Sequence, residues 1–388
     1  MNRSILIFCG QPVVGVPIGQ RIGAFGAYLR RQGWHVHLAS LDPRFETDPC
    51  RIPDPVRGHE VEIIGPTHYR VGADGRRIRR APLEYLAACR QLTDRMRERA
   101  LQCRADTVLI STSLPASLFL AARLPRRPFR LCMDVDDWSA GQFTAAGGGR
   151  LMGFLYGWME RWIPRRSCRV TVCSKELASI YPDSVYIPNF LRVSEAPAPV
   201  RSKEGPVRVA FAGTVTAYQG HEALIRILAR RRAELKGMEM VILGGGDELP
   251  VCRRVTHELG MEDIIRITGP LSRPAVLEAL SGMEIGVLPL WEDRVNRARF
   301  PLKLLDYLAC GCAIAASDTG MARDVLRDRQ TAMLSPAGDF NRLVDHVLEL
   351  VRTPELRERL SLSGRELIRR FDEDRVCADW MQALEGPK

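Results

Sequence analysis

The chain has 388 residues, of which 46% are hydrophobic and 26% charged, values typical of a globular protein and not of a disordered or fibrous one. This length exceeds what one core usually supports, so two domains are expected. The net charge of +10 lies entirely in residues 1–199, since residues 200–388 hold 28 basic and 28 acidic side chains. Either an anionic partner of the N-terminal half or a solvated arginine-rich surface would account for this asymmetry.

Several classes of protein are disfavoured by simple pattern searches. No uninterrupted apolar run reaches the 18 residues of a membrane span, and the first apolar stretch is too short for a signal peptide. The 11 cysteines form no CxxC pair and have no partners at zinc spacing. The basic clusters lack a recognisable nucleic-acid motif. We therefore expect a reduced, cytoplasmic protein with no metal and no nucleic-acid partner.

The first half alternates short apolar runs with helical periodicity, which is typical of βα units on a parallel sheet. Strands are predicted at 4–10, 34–40, 106–112, 130–135, 169–174 and 185–189, with a helix at 20–33. Residues 192–206 are rich in Pro, Ala and charge and lack periodicity, which indicates an interdomain linker.

The same pattern restarts after that linker. Strands are predicted at 207–213, 238–246, 264–270, 285–290, 312–317 and 332–336, and a helix at 221–237. The sequence thus predicts an α/β fold with two doubly wound Rossmann-like domains facing a cleft, with ligands at the carboxyl ends of the strands. The expected domains are 1–192 and 207–372, joined by a linker at 193–206, with a C-terminal helix at about 373–388 that packs back on the first.

A triple glycine, Gly244 to Gly246, follows the predicted strand at 238–246. Glycines after a strand let backbone N–H groups approach a phosphate. The chain has neither the GxGxxG spacing nor a P-loop, so a tight strand-to-helix turn is an equally simple explanation.

The ordered series of motifs in the second half is more specific. "GTVTAYQG" follows a strand, and "LGGGDE", "ITGPLSRP" and "FPLKLLDYLACG" come after it. In the first half "DVDDW", "TVCSKEL" and "IPNF" fit the same pattern. With these motifs the chain resembles a GT-B-fold glycosyltransferase of the family 4 type, over nearly its whole length.

The resemblance implies that a nucleotide-sugar donor binds the C-terminal domain and an acceptor the N-terminal domain. It also implies transfer with retention of anomeric configuration, without a metal or other cofactor. The expected function is transfer of a sugar to a glycan or lipid-linked acceptor in bacterial-type polysaccharide or glycolipid biosynthesis. Two alternatives stay open: a catalytically weak homologue acting as a sugar- or partner-binding subunit, and an epimerase acting on the sugar nucleotide itself.

The charged signature of the family is only partly present. Of its two paired glutamates, the second falls on Asp306 and the first on Ala298. Its pyrophosphate-binding Arg and Lys fall on Thr214 and Gln219. These losses motivate the binding-subunit alternative. The resemblance gives as donor-binding candidates Gly213, Thr214, Gly220, Gly244, Gly245, Thr268, Gly269, Pro301, Leu302 and Asp306, with Asp306 on the ribose.

Catalytic candidates follow from the need to neutralise a departing nucleoside diphosphate. Arg299 and Lys303 stand at i, i+4 and would share a helix face if that helix begins early. A cation at or near a helix N-terminus could replace the missing pair, so Lys303 is a candidate phosphate ligand; the alternative is a surface lysine covering apolar neighbours. Asp137, after the strand at 130–135, is a candidate to orient or deprotonate the acceptor, although helix capping would explain it equally.

Two N-terminal segments complete the candidates. The loop at 10–21 matches the family's glycine-rich loop, which makes Gly15, Gly19 and Arg21 candidates for contact with acceptor and donor phosphate. The segment 151–166 is aromatic and flanked by arginines, which suits either a helix lying at an anionic membrane surface or a buried amphipathic helix. The first reading predicts a peripheral protein on the inner face of a membrane.

Overall fold

The computed structural model describes residues 3–12, 17–42, 50–53, 60–67, 69–71, 77–125, 127–145, 147–201, 204–216 and 219–386. The chain divides into two compact units. The N-terminal unit comprises Met1–Asn189, Ala298–Phe300 and Asp374–Lys388, and the C-terminal unit comprises Phe190–Arg297 and Pro301–Glu373.

The N-terminal unit is built on one eight-stranded sheet and a small hairpin. Its strands are β1 (Ser4–Cys9), β2 (His35–Asp42), β3 (Cys50–Pro53), β4 (Glu60–Pro66), β5 (Tyr69–Val71), β6 (Arg77–Arg79), β7 (Thr107–Ser111), β8 (Arg130–Val135), β9 (Arg169–Val172) and β10 (Val185–Tyr186). The sheet order is β10-β9-β8-β7-β1-β2-β4-β3, parallel except for β3, and β5 pairs with β6. The helices are α1 (Pro17–Arg31), α2 (Pro82–Gln102), α3 (Pro115–Arg123), α4 (Ser139–Ala145), α5 (Arg150–Trp162) and α6 (Lys175–Ile180).

The C-terminal unit is built on a six-stranded parallel sheet. Its strands are β11 (Val207–Ala212), β12 (Met238–Leu243), β13 (Ile265–Gly269), β14 (Ile285–Leu288), β15 (Ala313–Asp318) and β16 (Met333–Pro336). The helices are α7 (His221–Arg230), α8 (Leu249–Glu258), α9 (Arg273–Ser281), α10 (Arg294–Ala298), α11 (Leu302–Ala309), α12 (Gly320–Val325), α13 (Phe340–Arg352) and α14 (Pro354–Leu367), and α15 (Glu373–Glu385) ends the described chain.

Each predicted strand is present, and most of the apolar runs become strands that are largely buried. The edge strand β10 has no buried residue, and β13 is only partly buried. In the N-terminal unit, the side chains of Phe8, Val108 and Met133 lie in the core on one face of the sheet. In the C-terminal unit the corresponding core includes Val209 and Ile242. Such doubly covered parallel strands are expected to be apolar on both faces.

Strand order reverses at one point in each sheet, between β1 and β7 and between β11 and β14. In open parallel α/β sheets ligands bind outside the carboxyl ends of the strands at such a switch point. The C-terminal sheet, ordered β13-β12-β11-β14-β15-β16, has the strand order of a dinucleotide-binding fold. The fold therefore indicates where each unit has room for a ligand.

The helix predicted to carry both Arg299 and Lys303 is broken between them, so that expectation was wrong. Helix α10 ends at Ala298 and α11 begins at Leu302, with Pro301 in an extended conformation as its N-cap. Proline has no N–H to donate, and its ring disfavours helical conformation in the preceding residue. Arg299 and Lys303 therefore do not share a helix face.

The predicted linker belongs to the C-terminal unit, and α15 from Asp374 onward belongs to the N-terminal unit. The linker contacts α9 and the turn after it: Val200 N–H donates to Ser281 O at 2.8 Å, and Arg201 Nε donates to Met283 O at 3.2 Å. In α15, the fully buried Trp380 stacks on Phe25 of α1 with ring centroids 4.0 Å apart.

Candidate active site

A lysine and a glycine meet at the switch point of the C-terminal unit. Lys303, in the first turn of α11, has its Nζ 5.0 Å from the ring centroid of Phe211 and donates a hydrogen bond to Gln219 Oε1. Gly213 follows β11 directly with a φ of +114°, and a Cβ there would lie 3.0 Å from Lys303 Cε. The left-handed φ favours glycine at this position, and its lack of a Cβ leaves room for the lysine side chain. Lys303 is thus held at the carboxyl end of β11.

Helix α11 is fixed at this point by a tyrosine that bridges two strands. The β11–β14 pairing ends at Ala210 and Gly286. Beyond it, Ala212 N–H donates to Tyr307 Oη at 2.7 Å, and Tyr307 Oη donates to Val287 O at 3.2 Å. The hydroxyl thereby satisfies backbone groups that the diverging strands leave unpaired. The same contact sets the position of Lys303 one turn earlier.

Two of the glycines after β12 are required because their backbone packs directly against the backbone of the segment after β11. A Cβ at Gly244 would lie 2.1 Å from Gly213 O, and one at Gly246 would lie 2.2 Å from Val215 O. The amide of Gly213 donates to Leu243 O at 2.9 Å, so that amide is engaged within the protein. The tight-turn interpretation therefore accounts for Gly244 and Gly246, and Gly245 lies against Pro270.

Thr214 and Gln219, between Gly213 and Gly220, differ in burial. Thr214 is exposed, whereas Gln219 is buried and hydrogen-bonded to Lys303. Gly220 has a φ of +76°, and a Cβ there would contact the ring of Phe340 at 2.7 Å. Gln219 stands where the family has a pyrophosphate-binding cation. Here it accepts a hydrogen bond from Lys303 of α11.

His221 opens α7 directly after this segment. Its ring stacks on Phe211 at 3.7 Å and is buried. Burial, with Lys303 nearby, lowers the pKa of His221 to about 3. The imidazole is therefore uncharged at neutral pH and adds no positive charge beside Lys303.

Asp306 is paired with an arginine that the motifs did not single out. Arg273 at the start of α9 donates from Nη1 to Asp306 Oδ2 at 2.6 Å and from Nη2 to Asp306 Oδ1. Asp306 is buried and Arg273 is partly exposed. A bidentate pair uses two of about four acceptor positions on a carboxylate, so two remain for a ligand hydroxyl.

Thr268 and Gly269 end β13 in the same unit. Thr268 Oγ1 donates to Ile242 O of the neighbouring strand β12 at 3.3 Å and to Gly269 O at 2.9 Å. Gly269 has a φ of +82°. Pro301 is buried and Leu302 half-buried at the start of α11. These positions stay donor-site predictions.

The carboxylates after β8 form the acidic part of the N-terminal unit. Burial raises the pKa of Asp136 well above its ordinary value, and Asp137 and Asp134 raise it further. Burial also raises the pKa of Asp137, against the opposing effect of the Arg299 guanidinium and a hydrogen bond with Gln142. Arg299 and Asp137, both predicted as catalytic, therefore influence each other within this unit. A carboxylate of raised pKa is suited to take up a proton.

Arg21 has a structural use that the sequence did not reveal. Its guanidinium forms a bidentate pair with buried Asp134, with Nε–Oδ2 and Nη2–Oδ1 both at 3.0 Å. It also donates to Ile187 O, Pro188 O and Asn189 Oδ1 at 2.8–3.1 Å and lies 4.4 Å from the Trp380 ring centroid. Arg21 thus anchors the chain after β10 instead of presenting an open cation.

The other two candidates of the same loop are glycines. Gly19 is buried in α1, and Gly15 lies outside the described residues.

Sequence reasoning missed a polar group at the switch point of the N-terminal unit. Thr112, directly after β7, has a φ of +74°, which is strained for a β-branched residue. Ser113 Oγ donates to Glu160 Oε1 at 2.5 Å, and Ala140 N–H donates to Glu160 Oε2 at 3.1 Å. Gly10, directly after β1, packs against Ser117 of α3, because a Cβ at Gly10 would lie 2.3 Å from Ser117 Oγ. Serine and threonine after a strand are too common to mark such a site.

Among the residues that the structure describes, no group of three or more His, Cys, Asp or Glu side chains could hold a metal ion. Within the same residues, no helix is both long enough and apolar enough to cross a membrane.

The two sheets and their strand-end residues define a GT-B fold, and comparison with solved structures agrees. Sucrose-phosphate synthase from Thermosynechococcus elongatus superposes with a TM-score of 0.79 at 16% identity, covering 99% of this chain and 98% of that one. Anabaena HepE, solved in complex with UDP-glucose, gives a TM-score of 0.72 at 13% identity, covering 98% and 99%.

Family models match both halves. The model "Glycosyl transferase 4-like domain" matches residues 18–189, and "Glycosyl transferases group 1" matches residues 193–367. The chain therefore belongs to the GT-B-fold glycosyltransferases of the family 4 type. A phosphatidyl-myo-inositol mannosyltransferase from Mycobacterium leprae is 27% identical over 60% of this chain and 62% of its own length. The match spans less than two thirds of that relative.

Proposed function

We propose that the protein transfers a sugar from a nucleotide-sugar donor to a glycan or lipid-linked acceptor, with retention of anomeric configuration. The observation that carries this proposal is Lys303 at the carboxyl end of β11, beside Gly213 and in the first turn of α11. A fixed cation at a helix N-terminus favours a pyrophosphate and the charge that develops as it leaves. Lys303 thus takes over from the cations replaced by Thr214 and Gln219.

The remaining parts of the donor site follow from the same unit. Asp306 accepts hydrogen bonds from the ribose hydroxyls while Arg273 holds its carboxylate in place. Thr268 and Gly269 border the nucleobase. On the acceptor side, Asp137 orients the attacking hydroxyl and assists its deprotonation. Arg299 opposes the rise in the pKa of that carboxyl.

A lipid-linked acceptor is supported by two observations. The Mycobacterium leprae relative is named for a lipid acceptor, phosphatidyl-myo-inositol. The excess of ten positive charges lies in residues 1–199, which attracts the protein to an anionic surface. We therefore place the protein peripherally at the inner face of a membrane, in polysaccharide or glycolipid biosynthesis.

Replacing Lys303 tests the proposed function. We expect Lys303→Met to lower kcat/KM for the preferred donor by about 100-fold or more, because a preorganised donor group at the leaving charge is lost. Nucleoside diphosphate release from a panel of UDP- and GDP-linked hexoses, each supplied with glycan and lipid-linked acceptors, measures this rate, and NMR of the product reports its anomeric configuration. Lys236→Met, an exposed lysine of the same unit, is the matched control. Equal effects of the two substitutions would exclude the role of Lys303, and absence of turnover in wild type with every donor would exclude the transferase.

A further inference from the structure

Helix α5 turns its apolar side chains away from the protein. Leu151, Phe154 and Trp158 are 72%, 71% and 55% exposed, and Leu155 and Trp162 are exposed on the same side. These positions are spaced three or four apart, so they form one stripe along the helix. A surface helix of a globular protein normally buries such a stripe. Here it forms an apolar surface of the kind that marks an interaction site.

The face of α5 that meets the protein packs Tyr156 and Met159 against the core of the N-terminal unit and is held by close packing and hydrogen bonds. A Cβ at Gly153 would lie 2.7 Å from Thr144 Oγ1, so α5 packs closely against α4 at this point. Tyr156 Oη donates to Ser113 O at 3.1 Å, and Glu160 is fully buried with its oxygens accepting from Ser113 and from the amide of Ala140. These contacts hold the helix with its apolar stripe outward.

The exposed charged side chains of α5 and of the turn after it have one sign. Arg150, Arg161, Arg165 and Arg166 are exposed along or just after α5, and Arg165 lies 4.1 Å from the Trp162 ring centroid. Between residues 138 and 166 the sequence has one acidic side chain, the buried Glu160. An apolar, aromatic stripe rimmed by arginines matches a bilayer with acidic headgroups.

We propose that α5 is a membrane-docking helix that lies in the headgroup region of an anionic bilayer. Leu151, Phe154 and Trp158 enter the apolar boundary, and the four arginines bind acidic headgroups. The inference rests on the proposed lipid-linked acceptor and names the surface that meets its membrane. The same helix also contacts the chain after β7, since Glu160 and Tyr156 are both hydrogen-bonded to Ser113. The docking helix therefore supports the carboxyl end of that strand as well.

Vesicle co-sedimentation of the full chain tests this docking. We expect binding to phosphatidylcholine vesicles that contain phosphatidylglycerol, weak binding to phosphatidylcholine alone, and weakening with added salt. The double variant Phe154→Ser/Trp158→Ser should bind anionic vesicles at least about tenfold more weakly, because two large apolar side chains no longer enter the bilayer. Leu83→Ser, which removes an 81% exposed leucine of α2 in the same unit, should bind like wild type.

Three outcomes would overturn the proposal: equal vesicle binding by wild type and the double variant, equal binding to neutral and anionic vesicles, or a dimer in solution that the double variant dissociates. The last would identify the stripe as a surface between two copies. Nucleoside diphosphate release measured with a glycan acceptor and without vesicles separates this proposal from the enzymatic one. Turnover without vesicle binding contradicts the docking alone, and vesicle binding without turnover with any donor contradicts the transferase alone.

Discussion

At the scale of single residues, the Arg273–Asp306 pair shows what a motif can and cannot reveal. Asp306 could be selected from the sequence because the family motif assigns a carboxylate to its position. Arg273 could not, because it is one of 51 arginines and nothing in its local sequence distinguishes it. The contact joins residues 33 positions apart on α9 and α11, and only the packing of the two helices determines it.

This pair leads to a stability prediction. Arg273→Gln should lower the free energy of unfolding by about 3–5 kcal/mol, because it leaves a buried carboxylate without its cation. Adding Asp306→Asn should recover much of that loss, since no unpaired charge then remains. Urea titration of both single variants and the double variant gives the coupling energy.

A second arginine pair of the same unit serves as the control for that cycle. Arg266 Nε lies 3.0 Å from Glu239 Oε1, and the arginine side chain is 56% exposed. Arg266→Gln should change the free energy of unfolding by no more than about 1 kcal/mol. Similar losses for the two arginine variants would show that burial of Asp306 has no energetic consequence.

At the scale of secondary structure elements, α11 shows why position is harder to predict than type. Its helical character is evident from "LKLLDYLA", but its start is fixed by Pro301 and its placement by the Tyr307 bridge between β11 and β14. Gly286 makes room for this bridge, because a Cβ there would lie 2.5 Å from the Tyr307 ring. Such a long-range match between a strand glycine and a helix tyrosine has no local signature in the sequence.

For helix α5 the sequence predicts an amphipathic helix but leaves open whether its apolar face is buried or exposed. Periodicity identifies an apolar face without saying whether that face points inward. The buried carboxylate of Glu160 decides the matter, because it receives hydrogen bonds from Ser113 and Ala140 on neighbouring elements. A glutamate rarely faces a core, and the local sequence has no signal that Glu160 does.

This burial gives stability a dependence on pH. Burial, opposed by its hydrogen bonds, raises the pKa of Glu160 from 4.5 to about 7. The folded protein therefore binds this proton more tightly than the unfolded chain. The resulting stabilisation is full below about pH 4.5 and is lost as the pH rises through 7.

Glu160→Gln should remove that dependence. Relative to wild type, its free energy of unfolding should rise by up to about 3 kcal/mol between pH 4.5 and 7.5, as judged from urea titrations at several pH values. Glu98→Gln, at an exposed glutamate of α2, should run parallel to wild type across the same range. A constant difference between Glu160→Gln and wild type would show that Glu160 does not titrate between its unfolded value and 7.

At the scale of the whole molecule, most of the architecture could be predicted from alternating apolar runs. Most of the predicted strands formed because their apolar runs are long enough to be buried in a parallel sheet. The strands that were missed, β3 to β6, lie at an edge or in a hairpin of the N-terminal unit. In β4 the charged Glu60 and Glu62 interrupt the apolar pattern, and β5 and β6 have three residues each, too few for a periodic signal.

The division of labour between the two units yields a final prediction, made with hydrogen exchange on the full chain. Adding the nucleoside diphosphate of the preferred donor should slow amide exchange most in the peptides covering residues 207–221 and 302–309, because bound ligand suppresses local opening there. Protection should be weaker in residues 130–137, where the carboxylates repel a phosphate. Lys303→Met should abolish the effect at the same nucleotide concentration, whereas Lys236→Met should preserve it. Protection confined to residues 130–137, or no protection at saturating nucleotide, would contradict a donor site built on the C-terminal unit.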